Sequence, residues 1–184
     1  MKFTQFSFLL LCFVASSFAG AAQNYYLKVM DPTQINGESL ASGYLNWTEI
    51  NAFNAGSTLP NVSFTQGTGR PDSKCFTISM YQDKMAYYLK RKLFLGATLT
   101  SIQLDFTRPS NISPTAFIYY RVQMENVYVT AIEEATIQGN PYVTMNVSFV
   151  PARFRYTYFS QNPSNGTTAA TTIFGWDVTT NTPW

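Results

Sequence analysis

The chain has 184 residues, with 12 Lys and Arg against 10 Asp and Glu, no His, two Cys, and a composition that is 46% hydrophobic, 16% aromatic and only 12% charged. That length suits one domain with a substantial core. Missing histidine removes the commonest general base, the partner in Ser-His and Cys-His nucleophile pairs and the commonest metal ligand, while a formal charge of +2 is too small for a phosphate-binding surface, so histidine-dependent enzymes and nucleic-acid binders are set aside first.

Residues 1–22 carry one positive charge, Lys2, then an apolar block over 8–15, then small residues over 17–22. This is the order of a secretory signal peptide, with cleavage expected after Ala19, Ala21 or Ala22. The apolar block is too short to cross a bilayer, which takes about 20 residues, and Leu10-Leu11 before Cys12 lacks the small residue of a lipoprotein signal. The expected organisation is therefore a cleaved signal over 1–22 and a single domain over 23–184, secreted or periplasmic, with no stable membrane anchor. Cleavage would remove Lys2 and Cys12, leaving 11 basic against 10 acidic residues and Cys75 as the only thiol. An intrachain disulfide is then impossible. Cys75, beside Phe76 and Ile78, reads as a buried small hydrophobe, the alternative being an intermolecular disulfide or a reactive thiol.

The remaining chain reads as strands with one helix. A short strand covers 25–30 and a second covers 44–53, with Leu45, Trp47 and Glu49 on one face. From 54 to 72 Gly, Ser, Thr, Pro and Asn dominate, a connection long enough to be a functional excursion or a disordered one. Strand signal returns over 75–81. A helix is predicted at about 83–95, because Met85, Tyr88, Leu89 and Leu93 recur at three and four residues, Asp83 can cap its start and Gly96 its end. Lys90, Arg91 and Lys92 fall in its last turns, opposite the negative end of the helix dipole, which accounts for the only basic run.

Residues 99–107 alternate, with Ile102, Leu104 and Phe106 on one side and Leu99, Ser101, Gln103 and Asp105 on the other. The next strand, 117–132, is unusually long, and broken alternation near its start predicts a dividing bulge or turn. Gly139-Asn140-Pro141 is a turn; 142–158 is strand again, with Val143, Met145, Val147 and Phe149 on one face and an interruption at Pro151. A polar loop over 160–172 and a short strand over 173–178 complete the reading. Nothing repeats and no linker divides the chain.

Four segments carry a further signal when taken in order. They are Tyr26-Leu27-Lys28-Val29 with Ile35-Asn36-Gly37-Glu38-Ser39; the strand containing Trp47, Ile50 and Phe53 before the long loop; the helix with its Gly96 stop and the following strand; and Val147-Ser148-Phe149 through Phe154, Tyr156 and Tyr158 to Gly175-Trp176-Asp177-Val178. Together they resemble the haemolysin-coregulated protein (Hcp) family, the tube-forming protein of bacterial type VI secretion. The resemblance implies a mainly β fold, an Hcp-like barrel of two sheets with one flanking α-helix at about 83–95 and a long extended loop at about 54–72. It implies a structural protein that associates head to tail as a hexameric ring, rings that stack into a hollow tube, and secreted effectors or tube-tip proteins as further partners. Because the family's loop reaches toward the neighbouring ring, Leu59, Pro60, Val62, Phe64, Gly67, Gly69 and Arg70 are the implied ring and ring-stacking interface. Sparse charge and many Tyr, Phe and Thr supply a physical reason for copies to pack together. One departure is the leader: family members are normally assembled in the cytosol and leave without a cleavable signal.

The competing class is an exported β-sandwich binding module that recognises a glycan or protein ligand through surface Tyr and Trp; glycan-array or pull-down binding by a monomer would favour it. No catalytic residue, metal site or cofactor is expected, because the only adjacent carboxylates, Glu133-Glu134, would point to opposite faces of a strand and read as a solvated turn. Five Asn-X-Ser/Thr sequons, at Asn46, Asn61, Asn111, Asn146 and Asn165, are candidate glycan sites in a eukaryotic source and ordinary strand and loop chemistry in a bacterial one.

Overall fold

Strands whose every second residue is apolar must bury one face, and here that face is closed on itself. The computed structural model describes residues 23–60, 71–73, 75–109, 116–136, 138–162, 164 and 166–184. In chain order these form β1 (Tyr25–Met30), β2 (Gln34–Ile35), β3 (Thr48–Asn54), β4 (Ser57–Thr58), β5 (Asp72–Ser73), β6 (Phe76–Tyr81), α1 (Lys84–Leu95), β7 (Leu99–Arg108), β8 (Phe117–Thr136), β9 (Val143–Gln161), β10 (Thr168–Asp177) and β11 (Thr182–Pro183). The order β9-β6-β3-β1-β7-β8 is closed by the pairing of β8 with β9, giving a six-stranded antiparallel barrel. β9 is 19 residues long, so the edge that takes β6 as far as Phe149 continues and takes β10 from Arg153 onward. β2 and β11 are short additions, and β4 with β5 forms a separate ribbon at the root of the long loop.

The barrel interior is filled by Leu27, Val29, Ile78, Met80, Leu104, Val122, Met124, Met145, Val147 and Phe149, all almost fully buried. α1 adds Met85, Ala86 and Leu89 to the same cluster. Each such side chain contributes about 1.5–3 kcal/mol relative to exposure. The helix forms as its sequence predicts: Asp83 Oδ1 accepts from the Ala86 N–H at 3.1 Å, and Gly96, at φ 60°, returns its N–H to Leu93. Lys92 and Tyr88 on its inner side both engage the Asp31 carboxylate just beyond β1. Burial alone would push that carboxyl up, but the bonds from Lys92, Tyr88 and Thr100 outweigh it and hold it below its ordinary value. Burial and the Asp31 contact push the Tyr88 hydroxyl up to about 12.

The long strands bend rather than break. β8 carries two extra residues, Tyr119 opposite β7 and Thr130 opposite β9, so the predicted bulge near its start is present within one continuous strand. Asn126, at φ 50°, reverses the inward parity: Val122 and Met124 point in before it, Val127 and Val129 after it. β9 reverses at the same level, from Phe149 and Pro151 to Phe154. Pro151 is thus a buried residue opposite Val127 at a bend, not an interruption.

Several expectations are corrected. The second strand begins at Thr48, because Asn46 adopts φ 63° and residues 36–47 fold back on themselves through Gly37 N–H to Asn46 O and Ser39 N–H to Trp47 O. Gly37 is required there, since a Cβ would lie 2.4 Å from the Trp47 carbonyl oxygen. This segment covers the outer face of β1 and β7: Tyr44 stacks on Tyr26 at 3.9 Å, and Trp47 meets Tyr44 edge-on. In the same row Asp105, 2% exposed, faces Arg121 on β8, which donates to it through Nε at 2.6 Å and a terminal nitrogen at 2.8 Å. Cys75 is exposed, not buried, because Phe76, Ile78 and Met80 take the inward positions and leave Cys75 outside the strand's start. Glu133 and Glu134 lie in β8 rather than a turn, and Glu134 pairs with Lys90 of α1. Most of the predicted polar loop over 160–172 is β-structure: β9 runs to Gln161 and β10 starts at Thr168.

Two predictions follow from the ion pairs. Arg121→Met should cost about 3–5 kcal/mol in urea unfolding, because it strands a buried carboxylate, and a second change, Asp105→Leu, should recover most of that loss. Asp31, held below its unfolded value, stabilises above about pH 4 and loses that contribution as pH falls through its folded pKa. Asp31→Asn should therefore lower stability at neutral pH and flatten the acid limb of a stability–pH curve.

Candidate assembly interface

β10 carries no charge before Asp177, and its strand propensity lies in Thr171, Thr172, Ile173, Phe174 and Trp176. It is paired to β9 along its length, yet both of its faces are open up to Gly175: Ile173 is 60% and Phe174 55% exposed, on opposite sides. Phe174 stacks on Tyr156 of β9, with planes 15° apart. At Gly175 the strand meets the C-terminal segment, whose Trp184 N–H donates to the Gly175 carbonyl at 3.1 Å. A Cβ at this position would lie 2.1 Å from the Trp184 carbonyl oxygen, so the glycine of the Gly-Trp-Asp run permits the contact. The Trp184 ring lies 4.2 Å from the Arg155 guanidinium and 4.9 Å from that of Arg153, which also pairs with Glu125. Asp177 closes the turn by accepting from the Thr179 hydroxyl and the N–H groups of Thr179 and Thr180, and these bonds hold its carboxyl below the usual range.

The root of the long loop faces the same end of the molecule. Ser57, Pro71 and Ser73 of the β4–β5 region and Phe154, Phe174, Trp176 and Val178 line an apolar groove of about 150 Å3. Of the interface residues implied by the resemblance, Leu59 and Pro60 stand exposed just beyond β4. Val62, Phe64, Gly67, Gly69 and Arg70 lie outside the described residues.

Further apolar groups project elsewhere. On α1, Phe94 is 88% exposed, with Tyr87 and Leu95 beside it on the outer side. Next to the helix start, Leu40, Tyr81 and Tyr142 line an open cleft of about 400 Å3 with Glu38, Glu49 and Asp83, the two tyrosine rings 5.0 Å apart. Burial pushes the Asp83 carboxyl up, against bonds from Thr48 and Ala86, and the Glu38 charge adds to the rise. The sequence places a strand at 173–178 but leaves the first half of β10, from Thr168 to Thr172, in the polar loop, and it does not mark Leu40 or Phe94. The β-branched run Thr171-Thr172-Ile173 before Phe174 was the available signal for the first; nothing in the pattern marks the other two as uncovered. Of the sequons, Asn46 occupies the positive-φ turn and Asn146 is exposed within β9, while Asn61, Asn111 and Asn165 lie outside the described residues.

The fold defines a closed, helix-flanked β-barrel protein with apolar groups left uncovered on several of its outer surfaces. Residues 26–158 match the family model described as type VI secretion system effector, Hcp. The chain belongs to the Hcp family, and its work is that of a structural component of the type VI secretion tube. Among solved structures it is similar to a type six secretion system protein, with a TM-score of 0.77 at 20% identity, over 89% of this chain and all of that one. It is also similar to Hcp1 from Salmonella typhimurium (TM-score 0.71, 16% identity, 89% and 99% covered) and to the secreted protein Hcp3 from Pseudomonas aeruginosa (0.64, 17%, 85% and 98%). No curated protein sequence matches it.

Gly175→Ala should expel the Trp184 carbonyl from its seat and release the indole from the two arginines. The expected outcome is a red-shifted tryptophan emission and a loss of about 1–3 kcal/mol in stability, with the barrel's far-UV circular dichroism retained.

Proposed function

We propose that this protein is exported by its leader, loses residues 1–22, and assembles outside the cytoplasm, head to tail, into hexameric rings that stack as hollow tubes. Secreted effectors and tube-tip proteins are the further partners of this reading, and no catalytic group is assigned. The observation that carries it is the distribution of uncovered apolar side chains: Ile173 and Phe174 on β10, Phe94 and Leu95 on α1, Leu40 and Tyr142 at the cleft, and Leu59 at the loop root. One binary contact covers one patch, whereas a ring subunit has two unlike flanks and a stacked ring two unlike ends. These surfaces belong to a nearly neutral chain, so identical copies approach without long-range repulsion. Export is supported by the charge, apolar block and small residues of 1–22, and among the described residues no helix is long and apolar enough to cross a membrane.

The test is light scattering, native mass spectrometry and electron microscopy of the exported protein, with sequencing of its N-terminus. Rings of six copies, and tubes at higher concentration, are expected, with a new N-terminus at position 20, 22 or 23. A species that stays monomeric at high concentration overturns the assembly reading, and an N-terminus at Met1 overturns the export reading.

A further inference from the structure

The direction of the backbone groups along β10 can be read from two bonds. The Val178 N–H donates to the Ala152 carbonyl of β9 at 2.8 Å, while the Gly175 carbonyl accepts from Trp184 on the other side. In an extended strand the N–H and C=O of one residue point the same way and those of the next residue the opposite way. The even-numbered residues Thr172, Phe174 and Trp176 therefore direct their backbone groups to β9, and the odd-numbered ones, Thr171, Ile173 and Gly175, direct theirs to the outer edge. The register between β10 and β9 is unshifted from Ala170 to Asp177, so this alternation holds throughout that stretch.

On the outer edge, β11 and Trp184 occupy positions 175–177 alone. Among the described residues nothing pairs with the N–H and C=O of Thr171 or Ile173. Natural sheets protect such an edge with Lys, Pro, a bulge or a covering helix. β10 has none of these protections between Ala170 and Trp176, whose side chains are all uncharged. Both faces are exposed from Thr171 to Phe174, and among the described residues β9 is the only strand paired with this stretch. A second strand laid along it would satisfy four outward backbone groups and cover Ile173 and Phe174 together. A tube component is brought against further copies of itself, and each copy carries the same uncharged run, so two such chains meet here without like-charge repulsion.

We infer that the outer edge of β10, at Thr171 and Ile173, is completed by a β-strand of a second copy of this chain, forming a hydrogen-bonded seam between subunits. This rests on the self-assembly reading and assigns a seam to it. Ile173→Pro removes an outward N–H without touching the ladder to β9, whereas Ile173→Val keeps it. Ile173→Lys keeps the N–H and adds an edge charge, and carries the same test if the proline variant loses its fold.

In native mass spectrometry and sedimentation, the proline and lysine variants should be monomeric where wild type is assembled, with at least a tenfold rise in the concentration needed for association. The valine variant should assemble normally, and the monomeric variants should keep the wild-type circular dichroism. Hydrogen exchange gives an independent reading: the amides of Thr171 and Ile173 should exchange slowly in assembled wild type and fast in the monomer. Wild-type assembly by both the proline and lysine variants, or fast exchange at both amides in the assembled protein, overturns the seam and leaves the assembly reading standing. A monomeric wild type overturns both.

Discussion

Everything in this molecule depends on the length of β9 and on its having two neighbours along one edge. Pairing with β8 from Val143 to Tyr158 closes the barrel, and the opposite edge serves β6 first and β10 second. A strand ending near Phe149 would close the same six-stranded ring with nothing to spare. The additional residues take β9 beyond the closed ring and create a place for β10. Closure gives every strand of the ring two neighbours over part of its length, which is how barrels remove most of their exposed edge. The extension adds an outer edge along β10, and it does so in a segment with no charge before Asp177.

Strands of 19 and 20 residues cannot remain straight around so small a barrel. The chain solves this at matched positions, with Asn126 on β8 and the step from Pro151 to Phe154 on β9 reversing the inward parity together. Had one strand reversed alone, apolar side chains on one would face polar ones on the other. The charged residues show a comparable economy. Asp31 with Lys92, Asp105 with Arg121, Glu125 with Arg153 and Glu134 with Lys90 bind adjacent elements to one another. These four pairs tie barrel strands to one another and to the helix, while β10 before Asp177 carries no charge at all.

The parts legible in the sequence were those set by local chemistry. Asp83 and Gly96 delimit α1 because a cap and a left-handed glycine act within one turn, and alternation placed Ile102, Leu104 and Phe106 inside correctly. Cys75 was misread because apolar neighbours in sequence are opposite neighbours in a strand. The 44–53 segment was misread because Asn46 spends a positive φ on a turn that only the packing of Tyr44 against Tyr26 reveals. Asp105 read as a surface position by periodicity, and its burial depends on Arg121 and on the covering residues 36–47, contacts distant in the chain. The interface was the least legible. The resemblance points to the long loop, most of which lies outside the described residues, while the open edge of β10 begins in a run of threonines and alanines that composition alone renders as loop.

The barrel and the C-terminal ribbon have different physical duties. Residues with no exposed surface, such as Leu27, Met80, Met124 and Val147, tie the barrel into one cooperative unit, whereas the outer half of β10 contributes little buried area and sits at the low end of local stability. A change in β10 can therefore alter association while leaving the fold intact. The absence of histidine acts on the same division. No side chain with an unperturbed pKa between about 5 and 8 is available except by strong perturbation, so the charge that one copy presents to another stays fixed across that range. A neutral edge strand gives a contact governed by backbone hydrogen bonding and apolar cover, and these are the terms that salt and pH change least.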